Sequence, residues 1–243
     1  LVINSLAARE LQRRKGVLAD LLPNIFDYAH PPEPPDDYVG DLRSTLGLEP
    51  GDRVILQPTR VIPRKNIELS IDLVARLADP HIKLVITHHA GDEGLDYLHQ
   101  LRGLARKRGV DLRYVADRFA PMRGTAPDGT KVYALWDAYP LADLVSYPSM
   151  IEGFGNAFLE AIYFRRPLLV NRYEVYVADL APKGFQCVEV ANGMLTDSAV
   201  ADVRTLLSHP ARVALQAEHN YRIAKHYYSF EAVTPLLERL MAQ

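Results

Sequence analysis

A single cysteine, Cys187, stands in 243 residues, so an internal disulfide is excluded and a cysteine-rich zinc site cannot be built. That usage fits a reducing compartment, and the thiol reads as part of a core. No uninterrupted apolar run is long enough to span a bilayer, and no charged-then-apolar signal segment opens the chain. Charge of one sign is equally scarce. Lys and Arg number 28 against 30 Asp and Glu, a formal net charge of -2. No basic stripe interleaved with aromatics marks a nucleic-acid footprint, and there is neither an internal repeat nor a low-complexity tract. The expected location is cytoplasmic. Attachment to a membrane surface stays open, because Arg9, Arg13, Arg14 and Lys15 either touch anionic lipid or form a solvated helix face.

What is present is an ordinary globular composition, 48% hydrophobic and 24% charged, enough for one good core, or one core plus a fragment of another. Strand-like and helix-like segments alternate. Strands are predicted at Val54–Gln57, Ile82–Thr87, Leu112–Ala116, Leu144–Tyr147, Leu168–Asn171 and Cys187–Val190, with a further buried strand at Leu1–Asn4. Helices are predicted at Ala7–Lys15, Ile67–Leu77, Leu95–Arg108, Val132–Leu141, Ala157–Phe164, Ala199–Ser208 and, as a pair, from Ala211 onward. This alternation implies an α/β fold, a doubly wound, Rossmann-like parallel sheet with ligands at the carboxyl ends of its strands. Ala120–Lys131, with an Asp128-Gly129 turn, reads as a mobile loop.

The most informative stretch is Glu152-Gly-Phe-Gly-Asn-Ala-Phe-Leu-Glu160, which follows the strand end Tyr147-Pro148-Ser149. Gly153 and Gly155 remove side chains where a ligand approaches the backbone, and the run from Asn156 opens a helix whose first N–H groups attract an anion. Glu160 falls four positions after Asn156, on the same helix face, where its carboxylate accepts hydrogen bonds from two adjacent hydroxyls. The alternative is two solvated acids around an ordinary turn. This E-x7-E pattern resembles the donor-site signature of retaining glycosyltransferases of family 4, which have the GT-B fold. The resemblance implies that Glu152 holds the transferred sugar, that the Gly153, Phe154, Gly155 and Asn156 backbone lines the sugar and phosphate pocket, and that Glu160 holds the ribose.

A second motif lies in the loop between the first predicted strand and its helix. Thr59–Asn66 carries Arg60, Arg64 and Lys65, and fixed cations there would stabilise the negative charge of a departing nucleoside diphosphate. Family members place an Arg and a Lys five apart at this point, so the resemblance assigns the diphosphate to Arg60 and Lys65, with Arg64 a solvated neighbour. Asn66 stands where the family commonly has Gly, and it either adopts a left-handed backbone or caps the helix. Asp117 and Arg118 end the third strand, where the family often meets the nucleobase. His88 and His89 follow the second strand at the ligand edge, where they either line the donor pocket or, the preferred reading, pack the loop; without spaced carboxylates they make a poor metal site. Trp136, Tyr133 and Tyr139 read as helix packing. After the fifth strand the family shows a Gly-Gly and a Glu, whereas this chain reads Arg172-Tyr-Glu-Val-Tyr-Val-Ala-Asp179.

The resemblance also divides the chain. Asn4-Ser5 and Pro23-Asn-Ile-Phe-Asp27 match the end of the family's N-terminal domain. Residues 1–28 are then expected to be the tail of the acceptor domain, 29–50 an interdomain linker, 51–217 the donor domain, and 218–243 a terminal helix crossing back. The implied activity is metal-independent transfer of a hexose, with retention, from UDP-glucose or GDP-mannose to an unknown acceptor. No cofactor is expected beyond the nucleotide sugar. The expected partner is a missing N-terminal domain, or a second copy through the apolar face of Leu1–Asp27. The rival readings are a non-catalytic nucleotide-sugar-binding half that works with a separate subunit, and a related epimerase or phosphorylase.

Overall fold

A computed structural model describes residues 1–90 and 95–242. In chain order the described strands are β1 (Arg53–Gln57), β2 (Ile82–Ile86), β3 (Asp111–Tyr114), β4 (Phe119–Ala120), β5 (Gly124–Thr125), β6 (Lys131–Ala134), β7 (Leu144–Tyr147), β8 (Leu168–Asn171) and β9 (Val188–Val190). The α-helices are α1 (Ser5–Lys15), α2 (Leu42–Thr45), α3 (Ile67–Leu77), α4 (Asp96–Arg108), α5 (Asn156–Tyr163), α6 (Asp197–Ser208), α7 (Pro210–Tyr228) and α8 (Phe230–Met241). Gln243, included in the expected terminal helix, lies outside the described residues.

Six strands form one parallel sheet in the order β3-β2-β1-β7-β8-β9. Its period-2 side-chain alternation builds two cores. Val54, Leu56, Val145, Leu168 and Val170 point to one face, packed against α5 and α7. Ile55, Leu84, Leu144 and Leu169 point to the other, packed against α3, α4 and α6. Burial on both faces is why β1, β7 and β8 read as continuous apolar runs. The strand order reverses between β1 and β7, and at such a switch point the loops leaving the two strands diverge and open a crevice. Both sequence motifs leave from there.

Four local expectations are corrected. The stretch Val132–Leu141 is not a helix, because Lys131–Ala134 is strand β6 and Leu135–Leu141 winds as a 3-10 helix. Pro140 has no N–H to give an α-helix, Asp137 accepts the Ala134 N–H at 2.8 Å, and Tyr133 is anchored to Asp41 at 2.9 Å. Ala120–Lys131 is not a structureless loop. Its ends pair in a three-stranded sheet, β4-β6-β5, and the Asp128-Gly129 turn is closed by Asp128 accepting from Thr130 N at 2.9 Å. The third strand stops at Tyr114, since Val115 leaves the extended region and Ala116–Arg118 form a 3-10 turn. Leu1–Asn4 is not a buried strand either. Val2 makes a single parallel bridge, to Leu21, and Leu1 and Ile3 remain exposed.

The segment 29–50 contributes α2 and buries Leu42, Leu46 and Leu48. Helix α8 starts at the Ser229 cap and lies beside the N-terminal segment, with Arg239 paired to Asp20 at 2.5 Å.

Candidate functional site

The loops after β1 and β7 face each other across the switch point. They are tied by Met150 N donating to Arg64 O at 2.8 Å and by Arg64 Nη1 donating to Ile151 O at 3.0 Å. Between them opens a cavity of about 490 Å³, large enough for a small-molecule ligand. Arg60, Lys65, Glu152, Phe154, Gly155, Asn156 and Glu160, all singled out in the sequence, line it together with Asn24, Arg64, His88 and Tyr147. Gly153 sits just behind the lining, with its carbonyl turned to Asn4.

Lys65 is ion-paired with Glu152, and Arg64 approaches the same carboxylate at 3.6 Å. Arg64 is therefore part of the cavity wall. Burial pulls the Lys65 ammonium below the usual lysine range, and the Glu152 carboxylate opposes that pull. One ammonium has three donors, so the pairing leaves others for a second anion. Arg60 projects from the exposed end of the same loop. Asn66 takes the left-handed conformation, φ 50°, and does not cap α3 with its side chain.

Glu160 faces the cavity from the first turns of α5. Tyr139 donates to it at 2.5 Å and Trp136 Nε1 at 3.4 Å. Burial pushes its carboxyl above the usual range, opposed by those two donors. Trp136 and Tyr139 thus orient a site carboxylate besides packing against Phe164. Gly155 has φ 123°, and a Cβ there would strike the Tyr173 hydroxyl, so only glycine fits. Gly153 meets no such limit, since a Cβ would point into open space.

Asp117 and Arg118 are not brought into the cavity. Both lie on the 3-10 turn after β3, where Asp117 is exposed and 3.8 Å from the His89 ring. Of the two readings of His88, pocket lining is the one the structure matches, since it lines the cavity. Its neighbours Lys65 and Arg60 add to burial in pushing its pKa down to about 4, which leaves the imidazole neutral at pH 7. An unfolded His takes up a proton near pH 6.5, so the unfolded chain binds more protons between about 6.5 and about 4. Stability is therefore expected to be complete above that window and to fall as pH drops through it. His88→Asn should flatten the slope, measured as melting temperature against pH, and parallel slopes for the two proteins would refute the assignment.

Comparison with known proteins decides the relationship. The chain is 31% identical to the mannosylglucosylglycerate synthase of Thermotoga maritima, over 98% of this chain and 60% of that protein. It is 35% identical to the synthase of the same name from Petrotoga mobilis, over 79% of this chain and 48% of that protein. A D-inositol 3-phosphate glycosyltransferase of Rhodococcus opacus is 28% identical over 81% of the chain. These relatives are glycosyltransferases by name, and the likeness is consistent with a family of the family 4 type. No protein-family model matches. The fold is shared with GT-B structures. The Anabaena protein HepE in complex with UDP-glucose aligns with a TM-score of 0.78 at 17% identity, over 99% of this chain and 63% of that one. Sucrose-phosphate synthase of Thermosynechococcus elongatus aligns with a TM-score of 0.70 over 100% and 57%. The chain spans 48% and 60% of the lengths of the two synthases. No described helix is long and apolar enough to cross a membrane.

Proposed function

We propose that this chain is the donor-binding part of a glycosyltransferase that moves a hexose from a nucleoside-diphosphate sugar to an acceptor hydroxyl, with retention at the anomeric carbon. The observation that carries the reading is the convergence of three cations and two carboxylates, Arg60, Arg64, Lys65, Glu152 and Glu160, on one cavity at the sheet's switch point. In this reading Glu160 accepts the ribose hydroxyls, and the diphosphate lies against Arg60, Lys65 and the first amides of α5. Those groups take the part a divalent ion plays elsewhere, stabilising the charge that develops as the nucleoside diphosphate departs. Glu152 orients the transferred sugar and favours positive charge at its anomeric centre. The names of the related synthases and the UDP-glucose bound by HepE support UDP-glucose and GDP-mannose as the donors to test first.

Transfer also needs an acceptor site and a wall that excludes the water which would hydrolyse the donor. We assign those to the length of the related synthases that this chain does not span, with residues 1–28 and α8 as the surface that meets it. The isolated 243-residue chain is accordingly expected to bind nucleotide weakly, to transfer no sugar, and to self-associate through exposed Leu1, Leu18 and Leu21. Light scattering and a radiolabelled-donor assay, run beside a full-length protein, test this. Efficient transfer by a monomer of these residues alone would refute the division of labour.

A further inference from the structure

Two consecutive carbonyls of the glycine loop are gripped by buried side chains from distant parts of the chain. Asn4 Nδ2 donates to Gly153 O at 2.5 Å, and the Tyr173 hydroxyl donates to Phe154 O at 2.8 Å. Asn4 is 7% exposed and Tyr173 2%. Neither is a generic packing contact. Asn4 is itself fixed as the cap of α1, its Oδ1 accepting from Ala7 N at 2.7 Å, while the next residue, Ser5, donates its N–H to Asp179 at 2.8 Å. Tyr173 stands edge-on to Tyr147, ring centres 6.1 Å apart, with its hydroxyl filling the space that a side chain at residue 155 would need.

In a trans peptide the carbonyl and the following N–H point in opposite directions. Holding Gly153 O therefore turns the Phe154 N–H away from Asn4, and holding Phe154 O turns the Gly155 N–H away from Tyr173. Neither amide has a protein acceptor among the described residues. The Phe154 ring is buried against Tyr228, so what Phe154 and Gly155 offer the cavity is backbone. A short glycine-flanked loop has no secondary structure of its own to hold two amides in one direction, and the two grips supply that rigidity. We infer that Asn4 and Tyr173 are positioning residues that aim the Phe154 and Gly155 amides at hydroxyl oxygens of the transferred sugar. This rests on the donor-site reading above.

Tyr173→Phe keeps the ring and removes the grip on Phe154 O. Asn4→Ser keeps an α1 cap of equal quality but is too short to reach Gly153 O. Titration calorimetry of the chain and both variants is run with UDP-glucose, GDP-mannose, UDP and GDP. For the sugar nucleotide that the wild type binds, each variant is expected to lose affinity about 5- to 20-fold, while affinity for the matching free nucleoside diphosphate stays within about twofold. A merely structural role lowers both affinities together and leaves their ratio unchanged. Amide NMR gives a second readout: the Phe154 and Gly155 resonances shift on addition of the sugar nucleotide and do not shift with the free diphosphate. An unchanged ratio in both variants overturns this inference alone. A folded wild type that binds none of the four probes overturns the donor-site reading and this inference with it.

Discussion

Glu152→Ala is expected to lower sugar transfer by the complete protein about 10²- to 10³-fold, the scale for removing one group that meets the charge of a transition state, while sparing the affinity for free UDP or GDP. The reverse pattern is expected at Glu160, on α5. Glu160 accepts two protein donors and faces the cavity, so Glu160→Ala should weaken nucleotide binding about 10- to 100-fold, the worth of hydrogen bonds to a charged group. Turnover should fall in both variants. The measurements are nucleotide affinity on this chain and transfer rate on the full-length protein. Loss of nucleotide affinity in Glu152→Ala with full affinity in Glu160→Ala would reverse the assignment of sugar and ribose.

The second large effect is expected at Lys65. Its side chain is 9% exposed and that of its partner Glu152 10%, so Lys65→Ala strands a nearly buried carboxylate. Breaking such a pair from one side costs about 3–5 kcal/mol, and Arg64, 3.6 Å from the same carboxylate, keeps the cost at the lower end. Nucleoside diphosphate affinity should fall by a further 1.5–3 kcal/mol or about that. Arg60 separates the two roles. It is exposed, so Arg60→Ala should lose comparable affinity with an unchanged melting temperature, and Arg64→Ala should lose less affinity than either. Calorimetry and thermal melts on the three variants decide the matter. Equal affinity losses at all three would leave only a diffuse basic patch.

The parts of the fold that were legible are those whose cause is local. Apolar runs such as Val54–Leu56 and Leu168–Val170 announce strands buried on both faces, and the alternation with amphipathic helices yields the sheet and its switch point without a single long-range contact being known. Glu152–Glu160 and Arg60–Lys65 stand out for the same reason, since each is one short contiguous stretch that leaves the switch point. Val132–Leu141 misled because its alanines and leucines suit a helix, whereas Asp41 and Asp137 hold it as a strand and a 3-10 turn. Asn4 and Asn24 stand in stretches read only as the end of a preceding domain, and Tyr173 in one read only as a departure from the family, so their place at the site is not legible in sequence; His88 is legible only as a strand-end residue that either lines the pocket or packs the loop. Asn24 reaches Asn156 across 132 positions, and Asn4 reaches Gly153 across 149. Asp117 and Arg118 differ in the opposite way: they sit on the 3-10 turn beyond β3, an outer strand of the sheet, and are not among the residues that line the cavity.

The central claim is that a nucleoside diphosphate binds between the β1 and β7 loops, and titration of this chain with UDP and with GDP tests it most directly. The account predicts a single site for one of the two nucleotides, weakened in Arg60→Ala and Glu160→Ala and retained in Glu152→Ala. Absence of binding of either nucleotide to the folded chain, or binding indifferent to Arg60 and Glu160, would contradict it.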